Sequence, residues 1–122
     1  MARILVIDDD IQMCEMLAMM LGSENHEVAI ARDGAAGIRL YRETPFDVVL
    51  CDIFMPGKEG LETICELREH DPGVRVIAIS GGAMRAKMDF LPLAKRFGAI
   101  KTLSKPIGWQ ELLEAVDEAM QG

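Results

Sequence analysis

Four candidate strands in this sequence, three of them short apolar runs, each end on residues that can do chemistry. Ile4 to Ile7 is followed by Asp8, Asp9 and Asp10, and Val48 to Cys51 by Asp52. Val74 to Ile79 leads to Ser80, and Ile100 to Leu103 leads to Ser104 and Lys105. If the first and third runs are neighbouring strands, ~4.8 Å apart, then Asp8, Asp9 and Asp52 crowd together. Carboxylates so close repel one another, and a hard divalent cation such as Mg2+ relieves that repulsion. Lys105 adds a positive point charge. A carboxylate beside Mg2+ can attack phosphorus and form an aspartyl phosphate. Such transfer needs mostly positioning and charge neutralisation. Mg2+ and Lys105 would neutralise the phosphoryl oxygens, and the Ser80 hydroxyl could donate to a third.

Each of these residues also has a purely structural reading. An aspartate before a helix is a good N-cap, and Asp10 is assigned that role. Asp52 could start a turn, Ser80 could be a turn serine before Gly81-Gly82, and Lys105 could be a surface lysine. Their joint arrival at four strand ends favours a site.

The elements that must position them follow from periodicity. The apolar runs are short, rich in branched residues and bounded by turn residues, so they read as strands buried on both faces. Glu27 to Ala31 and Ile100 to Leu103 are less apolar and read as strands nearer the sheet edges. Ile11, Cys14, Leu17, Ala18 and Leu21 recur at helical spacing, with Gly22 as the expected C-cap. Further helices are expected over Ala35 to Arg42, around Leu61 to Arg68, and over Glu111 to Met120. Pro92 would clash with the Met88 carbonyl in a helix running from Met84. A shorter helix capped at Asp89 is therefore expected, with Phe90, Leu93, Ala94 and Phe97 buried and Gly81 to Met88 a long loop. Strand and helix alternate five times, which implies α/β architecture: a parallel sheet with helices on both faces. In such sheets the ligand site lies at the carboxyl ends of the strands.

With 122 residues, half of them hydrophobic, one domain over 1–122 is expected. The net charge of -7 argues against nucleic acid or an anionic membrane as a direct partner. No apolar run is long enough for a signal-peptide core or a bilayer span. Cys14, Cys51 and Cys65 lack zinc-site spacing and read as buried free thiols, which suits a cytoplasmic protein. The nine methionines read as filling gaps in the core. Trp109, at the start of the last helix, reads as a hydrophobic staple, with an exposed partner anchor as the other reading.

These segments together resemble the receiver domains of two-component response regulators. Ile4 to Asp10 is similar to the family's first strand and acidic pair, and Val48 to Gly60 to its phosphoacceptor segment. Val76 to Gly81 resembles the fourth strand with its hydroxyl residue, and Gly98-Ala99 with Leu103 to Pro106 the fifth with its lysine and proline. The resemblance covers essentially the whole chain. It implies a flavodoxin-like, doubly wound (βα)5 fold with a five-stranded parallel sheet in the order 2-1-3-4-5. It implies Asp52 as phosphoacceptor, with Mg2+ held by Asp9, Asp52 and the Phe54 carbonyl, and with Asp8 acting through metal-bound water. Ser80 and Lys105 would bind the phosphoryl group, and the Lys105–Pro106 bond is often cis in the family. The implied partners are a sensor histidine kinase or phosphotransfer protein and a downstream protein target, with the chain a monomer or weak homodimer. It would be a signalling switch that catalyses only its own phosphorylation and dephosphorylation.

The sequence departs from the family pattern at Thr102, where an aromatic is usual, and at Ser80, where Thr is commoner. The loop after Ser80 is longer and glycine-rich, and Ile107 replaces a frequent Phe. Output is therefore expected through the Gly81 to Met88 loop and the fourth helix. Two rival functions share parts of the pattern: a receiver-like module that is never phosphorylated, and a small Mg2+-dependent phosphatase or phosphotransferase. The second lacks a carboxylate two residues after Asp52, where Phe54 stands. Either a complete single-domain regulator or an excised piece fits a chain ending at Gly122.

Overall fold

The computed structural model describes residues 2–53, 60–80 and 94–121. The elements are β1 (Arg3–Ile7), α1 (Ile11–Gly22), β2 (Glu27–Ala31), α2 (Gly34–Glu43), β3 (Val48–Asp52), α3 (Gly60–His70), β4 (Val76–Ser80), β5 (Ala99–Ser104) and α5 (Trp109–Gln121). Between β4 and β5, residues 94–97 are helical and form the described part of α4. The five strands are parallel, in the order β2-β1-β3-β4-β5. That is the doubly wound flavodoxin-like arrangement expected, with the two less apolar strands at the edges.

The central strands are apolar except at Arg3, Asp52 and Ser80 at their ends, because both of their faces are covered. Ile4 and Val6 of β1, Val48 and Leu50 of β3, and Ile77 and Ile79 of β4 pack with Leu17 and Leu21 of α1 and Leu112 and Val116 of α5. The alternate residues Leu5, Ile7, Val49, Cys51, Val76 and Ala78 pack with Ile38 and Tyr41 of α2 and Ile64 and Leu67 of α3. The two-residue period of a strand divides these neighbours between two cores.

Several element ends differ from expectation. Gly22 does not cap α1 but lies inside it. The chain leaves the helix at Asn25, which has a φ of 67°. The His26 N–H bonds to the Leu21 carbonyl and the Asn25 N–H to that of Gly22. This is a Schellman closure with Asn, whose short polar side chain tolerates the left-handed conformation, in the usual glycine position. α2 begins at Gly34, one residue early, because the Asp33 side chain accepts from the Ala36 N–H and caps it. α5 begins at Trp109, as expected for that residue and two residues ahead of the Glu111 to Met120 stretch. Trp109 is 47% exposed, so it is not the staple; Ile107, before the helix, and Leu112, in its first turn, are buried together and fill that role. Cys65 is half-buried rather than buried. Ala94 is buried as expected, but Phe97 is exposed, on the rim of a groove with Leu61 and Cys65. Among the methionines Met20 is in the core and Met13 and Met16 lie against it, while Met19 is exposed. Among the described residues no helix is long and apolar enough to cross a membrane. The expected Gly81 to Met88 loop and the Asp89 cap lie outside the described residues.

Candidate functional site

β1 and β3 run side by side, with Ile7 opposite Cys51, so Asp8 and Asp52 emerge together at the carboxyl edge of the sheet. One carboxylate oxygen from each of Asp8, Asp9 and Asp52 lies within 4.8 Å of the others. Asp8 and Asp52 are buried and Asp9 is exposed. One strand further, Asp52 pairs with Ile79, which brings Ser80 to the same edge, and Ser80 pairs with Ser104 of β5. The Lys105 N–H donates to the Ser80 carbonyl at 2.8 Å and fixes the start of the β5–α5 connection. The Lys105–Pro106 peptide is cis.

Asp8 is held at four points. Its N–H donates to the Ala31 carbonyl at 3.1 Å, and its own carbonyl accepts from the Cys14 thiol at 3.2 Å. Its Oδ1 accepts from the Asp10 N–H at 3.0 Å. Its Oδ2 lies 3.0 Å from Lys105 Nζ, which is also 3.6 Å from Asp52 Oδ2. Asp10 caps α1 as expected, accepting from the Gln12 and Met13 N–H groups. Burial works to lower the Lys105 pKa, but contact with Asp8 and the charges of Asp52, Asp8 and Asp10 outweigh it and raise it. Burial, with Asp8 next, pushes the Cys14 thiol up to about 11. Burial, with Asp52 next, pushes the Cys51 thiol up as well. Both sulfurs are therefore protonated donors at neutral pH. Ser80 Oγ is buried with no hydrogen-bond partner among the described residues.

Asp8, Asp9, Asp52, Ser80 and Lys105 thus stand at one edge, as their strand-end positions implied. Phe54 lies outside the described residues. Two further residues shape the site without a clear mark in the sequence. Cys14 reads there only as a buried thiol. Gly60 opens α3 so close to β3 that a Cβ there would lie 2.2 Å from the Asp52 carbonyl oxygen and 2.3 Å from Ile53 Cα. The glycine that ends the phosphoacceptor segment is the available signal for that approach.

The family model described as the response regulator receiver domain matches residues 4–117. The chain belongs to the response regulator receiver family. It is 37% identical over 114 residues to the response regulator receiver protein Anae109_2439 of Anaeromyxobacter, covering 93% of this chain and 47% of that one. It is 34% identical to the transcriptional regulatory protein ZraR of Klebsiella oxytoca, covering 96% of this chain and 26% of the relative. The chain therefore spans about a quarter to a half of the length of these curated relatives. A receiver domain protein from Clostridium thermocellum superposes with a TM-score of 0.91 at 31% identity, covering 99% of this chain and 95% of that one. The receiver domain of NtrX from Brucella abortus gives 0.91 at 27% identity, covering 97% and 98% of the two chains. This is a receiver domain of a two-component response regulator.

Proposed function

We propose that this receiver accepts a phosphoryl group on Asp52 from a histidine kinase or phosphotransfer protein, and that the modified form switches contacts with a downstream protein. The observation that carries the reading is the meeting of Asp8, Asp9 and Asp52 within 4.8 Å of one another, with Lys105 reaching two of them. Three carboxylates against one ammonium leave negative charge for a cation to balance. The donors are all hard oxygens, the set that suits Mg2+. Asp8 already has one oxygen on the Asp10 N–H and the other on Lys105, so Asp9 and Asp52 are the direct ligands we assign. Phe54 would add its carbonyl. Bound there, Mg2+ supplies the positive charge that offsets the incoming phosphoryl oxygens.

The protein's part is positioning. Asp52 presents an oxygen to phosphorus; the new O–P bond forms as the donor's P–N bond breaks, and the imidazole nitrogen leaves with the electron pair. Lys105, held by Asp8 and Asp52, pairs with a phosphoryl oxygen. Ser80, buried and without a partner among the described residues, donates its hydroxyl to another. We read the chain as one domain, 1–122, acting as a switch on itself rather than as an enzyme on separate substrates. The free thiols support a cytoplasmic setting.

The test is incubation with Mg2+ and acetyl phosphate, followed by intact mass measurement. Wild type gains one phosphoryl group, and neither the Asp52→Asn protein nor wild type in chelator does. A wild type that stays unmodified under these conditions overturns the reading.

A further inference from the structure

Asp8 is buried at the point where β1 ends, so its backbone carbonyl has left the strand ladder and needs another donor. Among the described residues, the donor it receives is the Cys14 thiol of α1, at 3.2 Å. We propose that Cys14 is a positioning residue for the cation site, its thiol tying the first turn of α1 to the Asp8 carbonyl and so setting where the Asp8 and Asp9 carboxylates stand. This rests on the reading of the acidic cluster as an Mg2+ site.

The geometry makes the contact consequential. Cys14 has its own N–H on the Asp10 carbonyl, and Asp10 in turn donates its N–H to Asp8 Oδ1 at 3.0 Å. The segment from Asp8 to Cys14 is thereby closed on itself twice, once through side chain to backbone and once through backbone to side chain. Asp9 lies inside that closed segment. It is exposed and gets its placement from the turn rather than from packing. Loosening the Asp8 carbonyl loosens the turn that aims Asp9. The other buried thiol, Cys51, reaches the neighbouring Asp52 carbonyl at 3.5 Å and that of Gly60 only at 4.0 Å. Both contacts are longer, and the nearer one is within its own strand, so Cys14 makes the closer link between separate elements.

Partners behind a metal's ligands commonly set affinity by about 10- to 100-fold. A thiol is a weak donor, so the expected loss in Cys14→Ala is about threefold to tenfold in Mg2+ affinity, read by titration calorimetry on the protein without phosphodonor. Cys14→Val, which fills the space without a donor, loses a similar amount, and Cys14→Ser, which keeps a donor, recovers part of it. Val116→Ala, a truncation in the same core cluster, lowers the melting temperature without changing Mg2+ affinity. Equal Mg2+ affinity in wild type and both donor-free variants overturns the positioning role while leaving the Mg2+ site intact. So does a loss in Val116→Ala as large as that in Cys14→Ala. No Mg2+ binding by wild type overturns the site and this inference with it.

Discussion

Lys105 Nζ stands 3.6 Å from Asp52 Oδ2 while pairing more closely, at 3.0 Å, with Asp8 Oδ2. One ammonium is divided between two buried carboxylates, with Asp9 beside them.

That division predicts a stabilising substitution at the phosphoacceptor. At an effective dielectric of about 20, the buried Asp8 oxygen within 4.8 Å of Asp52 repels it by about 3.5 kcal/mol and the exposed, water-screened Asp9 by less, about 2 kcal/mol, against about 4.6 kcal/mol of attraction from Lys105. Of these three charges, the two repulsions outweigh the one attraction. Asp52→Asn should therefore raise stability in chelator by about 1 kcal/mol, near 4 °C in melting temperature. Saturating Mg2+ should close or reverse the gap, because the wild type gains more from binding the cation. A mutant that melts lower than wild type in chelator would show that the crowding carries no net cost.

Lys105→Met should do the opposite. Its side chain is 18% exposed and its Asp8 partner fully buried, so removing the ammonium leaves Asp8 without its counter-charge. Breaking a fully buried pair costs about 3–5 kcal/mol; here about 2–3 kcal/mol is expected because Lys105 keeps some access to water. Denaturant unfolding in chelator measures the loss. Mg2+ should return more stability to this variant than to wild type, and the acetyl phosphate reaction should slow even with Mg2+ present.

These residues were legible in the sequence because each stands within two residues of the end of a candidate strand, and in a parallel sheet all such strands end at one edge. The edge strands followed from the same patterning, and the sheet order from the family resemblance. The contacts that hold Asp8 and Asp52 in place were not legible in that way. Cys14 looks like any buried helical residue; that its sulfur meets the Asp8 carbonyl depends on how α1 is set against β1. Gly60 belongs to the segment that resembles the family, yet its closeness to Asp52 appears only once α3 is laid over β3. The end of α1 misled for a local reason, since Asn25 took the left-handed position that glycine usually fills. Trp109 misled because Ile107 had already filled the space before α5.

Gly60 yields a third prediction. A Cβ there meets backbone atoms of Asp52 and Ile53, not the end of a flexible side chain, so only movement of α3 or of the strand end can relieve it. Gly60→Ala should cost about 2–3 kcal/mol, at the upper end for overpacked sites. Gly22→Ala supplies the contrast, because a Cβ there meets nothing within 4 Å. That change should be neutral or stabilising by up to about 1 kcal/mol. Parallel melts of the two variants check the pair, and loss of acetyl phosphate reactivity in Gly60→Ala alone would tie the clash to the placement of Asp52.

Away from the site, the Tyr41 hydroxyl donates to Asp71 Oδ2 at 2.7 Å, joining α2 to the turn after α3. The Tyr41 hydrogen bond, followed by the Gly73 N–H, holds the Asp71 carboxyl below its ordinary value. Burial, followed by the Asp71 bond and charge, pushes the Tyr41 phenol up. A depressed carboxylate contributes stability above its unfolded value and loses it as pH falls through the folded one. A raised phenol contributes stability below its unfolded value and loses it as pH rises through the folded one. Tyr41→Phe keeps the ring stacked on Phe46 and removes only the hydroxyl. It should cost about 1 kcal/mol, less than a buried charged bond, because Asp71 sits near the surface. The difference from wild type should be widest between about pH 5 and 9 and shrink toward both extremes. Urea unfolding across that range checks it, and a difference that stays constant down to strongly acidic pH would mean the ionised Asp71 is not the partner that matters.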